Sequence, residues 1–112
     1  MSIYMIKGDA KINGEVRVSG SKNSALPIIA ACILNAGTTT LYNVPNIKDT
    51  NGMFNILKDL GCIINKKGKK IVIDSSKINK FQIDEKLMSK MRSSVIIAGA
   101  LLGRFRRAVF SY

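Results

Sequence analysis

A lysine and an amide stand side by side within Gly20-Ser21-Lys22-Asn23-Ser24-Ala25-Leu26-Pro27. An ammonium next to an amide can hold an anion, provided the chain fixes both groups in place. Upstream, Val16 and Val18 alternate with Arg17 and Ser19, as along a strand. Downstream, an apolar run reaches from Leu26 to Leu34. The pattern predicts strand, tight turn and helix start. Gly20 lets the backbone turn without a side-chain clash. Ser21, Asn23 or Ser24 can cap the helix, and Pro27 suits its first turn. Lys22 and Asn23 then lie at a helix N-terminus, where anions are favoured. A solvated surface turn has the same composition and no chemistry, and is the commoner origin of such a pattern.

The other reactive side chains narrow the options. The chain has no histidine, so the usual general base near neutral pH is missing. Cys32 falls inside the apolar run and is expected to be a buried thiol. Cys62 follows Gly61 at an element boundary. Two cysteines without histidine do not make a metal site, and no metal or cofactor is expected. Any chemistry must rest on Lys, Arg, Asp or Cys.

Those groups have to be positioned by a small scaffold. With 112 residues the chain is one domain or part of one. The predicted order is a strand near Glu15–Ser19, a helix over Ser24–Asn35, a strand over Thr38–Asn43, and a second helix capped by Asp49 or Thr50. In that second helix Met53, Ile56, Leu57 and Leu60 form one apolar stripe, and Gly61 ends it. Strands over Cys62–Asn65 and Lys70–Asp74 follow. A third helix is expected from Glu85 through Leu102, then the start of a strand at Arg107–Tyr112. The apolar first helix is expected to be the most buried element, against a small mixed sheet. The order β-α-β-α-β-β, then α-β, argues α/β layers. Its last unit looks unfinished, as in a piece of something longer.

The formal charge of +11 favours an anionic partner: nucleic acid, a membrane surface or a phosphorylated metabolite. The charge is not one stripe. Lys66-Lys67-Gly68-Lys69-Lys70 reads as a solvated hairpin tip. A second cluster, Lys86 to Arg107, holds six basic residues and no acidic one. A nucleic-acid-binding module is the competing reading, but the usual basic–aromatic interleaving is missing. No stretch reads as a signal peptide or a membrane span, and a cytoplasmic location is expected.

Three blocks carry a resemblance. Ser19-Gly20-Ser21-Lys22-Asn23-Ser24-Ala25-Leu26-Pro27, Leu41-Tyr42-Asn43-Val44-Pro45-Asn46-Ile47-Lys48-Asp49, and Lys90-Met91-Arg92-Ser93-Ser94 with Leu101-Leu102-Gly103-Arg104-Phe105 resemble the N-terminal motifs of the enolpyruvyl transferases. The residues around Lys22 are more similar to the UDP-N-acetylglucosamine 1-carboxyvinyltransferase branch than to the shikimate-pathway branch. The shikimate-pathway branch typically has an aspartate before the lysine and Ser-Ile-Ser after it.

The resemblance implies an α/β (α+β) fold in which β-α-β-α-β-β units repeat to form an inside-out barrel, incomplete here. Residues 1–19 would pack with a second domain, 20–84 would be the first repeat unit, and 85–112 would begin the second. The implied reaction moves the enolpyruvyl group of phosphoenolpyruvate to the 3-hydroxyl of UDP-N-acetylglucosamine and releases phosphate. It is the first committed step of peptidoglycan precursor synthesis, on which cell shape and division depend. Lys22 would be catalytic, Lys22 and Asn23 would bind phosphoenolpyruvate, and Arg92 would bind the UDP-sugar. A mobile loop carrying a cysteine is expected beyond Tyr112. The implied partners are small anionic substrates, with no membrane or nucleic acid, and the full-length protein would be monomeric. A non-catalytic truncated remnant is the alternative, and the 112 residues alone are expected to be inactive.

Overall fold

The computed structural model describes residues 2–91 and 95–110. Helix α1 spans Lys22–Ala31 and tightens into a 3₁₀ turn at Cys32–Leu34. Strand β1 (Thr38–Tyr42), helix α2 (Lys48–Leu60), and strands β2 (Ile63–Lys67) and β3 (Lys70–Asp74) follow. Helices α3 (Glu85–Ser89) and α4 (Val95–Phe105) complete the order. The strands form one open sheet in the order β1-β3-β2. Both pairings are antiparallel, with Thr38 opposite Asp74 and Ile63 opposite Asp74. The expected mixed sheet is therefore an antiparallel one, because the β2–β3 hairpin folds back directly and β1 joins β3 on its free side.

Helix α2 is the centre of the core. Met53, Ile56, Leu57 and Leu60, the stripe expected from helical spacing, are essentially inaccessible to solvent. They pack with Ile29 and Ile33 from α1 and its 3₁₀ turn, Ile73 of β3, and Ile97 and Leu101 of α4. Gly61 ends α2 at φ 113°, a left-handed value that suits glycine, and its N–H returns to the Leu57 and Lys58 carbonyls. The N-terminus of α2 is built differently from the expectation. The helix begins at Lys48, so Asp49 lies inside its first turn and does not cap it. The buried Thr50 hydroxyl instead accepts from the Ile47 N–H at 3.3 Å and donates to the Pro45 carbonyl at 2.6 Å.

Helix α1 departs from its expected burial. Ala25, Leu26, Ile29 and Ala30 are buried, whereas Ile28 is 50% exposed and Leu34 53%. An apolar circumference does not choose a face. Contacts with α2 and α4 bury one side of α1 and leave Ile28 half exposed. Pro27 also lies beyond the first turn, where it deprives the Asn23 carbonyl of its usual helical donor.

The predicted third helix is broken into α3 and α4, with Lys90 and Met91 outside both. Gly103 meets Leu34: a Cβ there would sit 2.9 Å from the Leu34 side chain. Small size at Gly103 thus permits the α4 contact, while Gly99 faces open space. Of the strand expected over Arg107–Tyr112, the described residues show one parallel bridge between Val109 and Gln82, with the Val109 N–H donating to the Phe81 carbonyl at 2.8 Å, and residues 111 and 112 lie outside the described residues.

Residues 2–20 form no strand, although Val16 and Val18 alternate as one would. A strand exists only through hydrogen bonds to a neighbour, and this arm meets no sheet edge among the described residues. Ile3, Tyr4, Met5, Ile6, Ile12, Val16 and Val18 are all more than 80% exposed.

Candidate functional site

The arm enters the domain at Gly20. A Cβ at Gly20 would lie 1.9 Å from the Asn43 carbonyl oxygen, so only a residue without a side chain fits beneath the end of β1. Asn43 itself holds φ 57°, a left-handed conformation that asparagine tolerates better than most residues. These two backbones, locked against each other, set the start of α1. Ser21 is the N-cap, its Oγ accepting from the Ser24 N–H at 3.4 Å. Of the three capping candidates in the sequence, the structure selects Ser21.

Lys22 and Asn23 are therefore the first two residues of α1, and both are exposed. The first turn of α1 holds no acidic residue. A lysine there is opposed by the partial positive charge of the helix end. The counter-charge comes from Asp49: the Lys22 Nζ forms an ion pair with Asp49 Oδ2. Asp49 in turn is placed by the first turn of α2, where a carboxylate is favoured. The N-termini of two helices thus converge on one ion pair that remains open to solvent.

Two concavities flank the Gly20 turn. One, of about 240 Å³, is lined by Ser21, Ser24, Ala25, Ile28 and the end of β1. The other, of about 530 Å³, lies between Arg17, Ser19, Tyr42, Asn43 and the hairpin residues Gly68 and Lys69. Lys22 and Asn23 line neither of these two concavities, and both side chains are exposed at the mouth of α1. Arg92, the third expected site residue, lies outside the described residues.

Burial pushes the Cys32 thiol above its ordinary range, partly offset by hydrogen bonding from Thr39. Burial pushes Cys62 up to about 11, against the opposing pull of Arg104. Both thiols are free and buried, as expected for Cys32, and neither is disposed to form a thiolate near neutral pH.

Two contacts were not legible in the sequence. Asp49 reads there as a helix cap, and no periodicity links it to Lys22. Arg104 reads as one more surface cation, yet its Nη1 donates to the Ile33 carbonyl at 3.0 Å and the Ser75 carbonyl at 2.7 Å. It ties α4 to the end of α1 and to the end of β3. The buried Ser75 hydroxyl completes the junction, donating to the carbonyls of Asn35 and Cys32.

An open three-stranded sheet with helices packed on it has a counterpart among known proteins. The family model of EPSP synthase (3-phosphoshikimate 1-carboxyvinyltransferase) matches residues 6–112. The chain belongs to this enolpyruvyl transferase family. It is similar to UDP-N-acetylglucosamine 1-carboxyvinyltransferase 2 of Caldanaerobacter subterraneus subsp. tengcongensis, 41% identical over the whole chain and 27% of that protein. The UDP-N-acetylglucosamine 1-carboxyvinyltransferase of Psychrobacter arcticus is 39% identical over 99% of the chain and 26% of its own length. The chain thus spans about a quarter of the curated relatives it matches. In fold it is similar to the enolpyruvyl transferase NikO from Streptomyces tendae, with a TM-score of 0.74 at 24% identity, over 85% of this chain and 22% of that one.

Proposed function

We propose that these residues form one wall of an enzyme that transfers the enolpyruvyl group of phosphoenolpyruvate to the 3-hydroxyl of UDP-N-acetylglucosamine. In that reaction a bond forms between the sugar oxygen and the central enol carbon. The bond from that carbon to the phosphate oxygen breaks, and the hydroxyl proton is released. Both substrates are polyanions, so the site needs cations fixed before the substrates arrive. The observation that carries the reading is the placement of Lys22, set by the Gly20–Asn43 contact and the Ser21 cap. Lys22 meets the phosphate or carboxylate of phosphoenolpyruvate, and Asn23 supplies an amide beside it. Arg92 is assigned to the UDP-sugar, where a planar guanidinium can meet an oxyanion with two bonds. The remaining cations and the acid chemistry come from the other three quarters of a full-length protein. The 112 residues alone bind weakly and do not turn over.

Residues 1–19 pack against the second domain of the full-length enzyme, which covers the apolar side chains of the arm. Residues 20–84 form the first repeat and residues 85–112 open the second.

The test is a graft in which these 112 residues replace the corresponding segment of the Caldanaerobacter relative. Lys22→Gln should leave circular dichroism unchanged and lower kcat by roughly 10² to 10³, the scale of removing one strong electrostatic stabiliser. Lys22→Arg should recover only part, because a fork does not reproduce a compact ammonium. Near wild-type turnover in Lys22→Gln overturns the assignment.

A further inference from the structure

We infer that Asp49 is a positioning residue for Lys22, and that the ion pair is how the chain aims the ammonium before a substrate binds. The inference deepens the functional reading above and rests on it. A lysine at the first position of a helix has a long stem and no fixed direction. Here the side chain is half exposed, and the charge of its own helix end repels it. Asp49 removes that freedom, because its carboxylate is carried by the first turn of a different, well-buried helix. An ammonium has three N–H donors, so pairing with one carboxylate leaves two for an incoming anion. The pair is therefore not a closed unit. It presents a cation at a fixed point with donors still free, at a helix mouth that favours negative charge. Asp49 touches no substrate and acts only through Lys22.

A simple counter-ion would behave in the opposite way. It would compete with the substrate for Lys22, and removing it would tighten anion binding. The sign of the effect separates the two roles. In the grafted enzyme, Asp49→Asn should lower kcat about tenfold or more, with KM for phosphoenolpyruvate changed by no more than about threefold. Asp49→Glu should recover part of the loss. In a Lys22→Gln background, Asp49→Asn should cost nothing further, because the group it positions is gone. A rise in kcat/KM on Asp49→Asn, or an equal loss in both backgrounds, overturns the inference. Unchanged turnover in Lys22→Gln instead removes the reading of Lys22 itself, so the two failures are distinguishable. A second measurement needs no turnover. In the 112-residue chain, ¹³C relaxation at the Lys22 Cε should show an ordered side chain that falls to the mobility of Lys67 and Lys69 on Asp49→Asn. An unchanged order parameter at Lys22 overturns the inference.

Discussion

Two turns in this protein pair glycine with lysine, and they are built for different reasons. At the mouth of α1, Gly20 is required by its surroundings, since the Asn43 carbonyl occupies the space of a Cβ. At the β2–β3 hairpin, Gly68 has open space around it and is required by its own backbone, at φ 59°. The hairpin joins Lys67 to Lys70 through two residues, and glycine at the first of them gives the positive φ such loops need. A glycine needed for close packing fixes its neighbours against the rest of the fold. A glycine needed for a turn only reverses the chain. Lys22, beside the first kind, is tied to another helix, whereas the hairpin lysines are exposed as expected. Lys66 is the partial exception. Its Nζ lies 2.9 Å from Asn51 Oδ1 and 5.2 Å from the centre of the Phe54 ring.

The sharpest way to break the comparison is through turnover. In the grafted enzyme, replacing Lys66, Lys67, Lys69 and Lys70 together by glutamine should change kcat/KM by no more than a few-fold, against the roughly 10² to 10³ expected for Lys22→Gln. A loss beyond about a hundredfold in the quadruple variant would give the hairpin a direct role.

Stability separates the two glycines next. Gly20→Ala forces a methyl group into a backbone carbonyl and should cost about 3 kcal/mol in urea unfolding, at the upper end of overpacking penalties. Gly68→Ala pays only for a left-handed backbone and should cost about 1 kcal/mol. Equal costs would remove the distinction.

The opposite end of the sheet, where Cys62 precedes β2, offers a third measurement. Burial pushes the Cys62 thiol up to about 11, from 9.0 for an ordinary thiol. Its contribution to stability is complete below pH 9.0 and is lost as pH rises toward about 11, because the unfolded chain releases the thiol proton first. The loss should reach at most about 2.7 kcal/mol. Cys62→Ala should flatten that part of the pH–stability curve, and an unchanged slope would contradict the burial account.

The smallest effect lies within the hairpin. Lys66→Ala should cost about 0.5 to 1 kcal/mol, the scale of an exposed cation–aromatic contact, while Lys67→Ala should cost nothing measurable.

Much of the scaffold was legible because local rules and burial agree. The α2 stripe, the αL glycine after it and the lysine-rich hairpin follow from periodicity and turn chemistry at positions where tertiary packing adds no conflict. The departures occur where a partner decides. Residues 15–19 alternate like a strand and pair with nothing described. The helix expected from Glu85 breaks at Lys90 and Met91, although its apolar spacing runs through.

The sequence by itself determined the turn before α1, the apolar stripe of α2, the hairpin, and the family, because each is written in adjacent or periodically spaced residues. Tertiary structure alone decided which face of α1 is buried, which acid meets Lys22, and that Arg104 is an internal clamp rather than a surface charge. Those outcomes join residues far apart in the chain, Lys22 to Asp49 and Arg104 to Ile33 and Ser75. Spacing along a sequence encodes which residues share an element's face, but which elements meet is settled only when their buried surfaces compete for the same core.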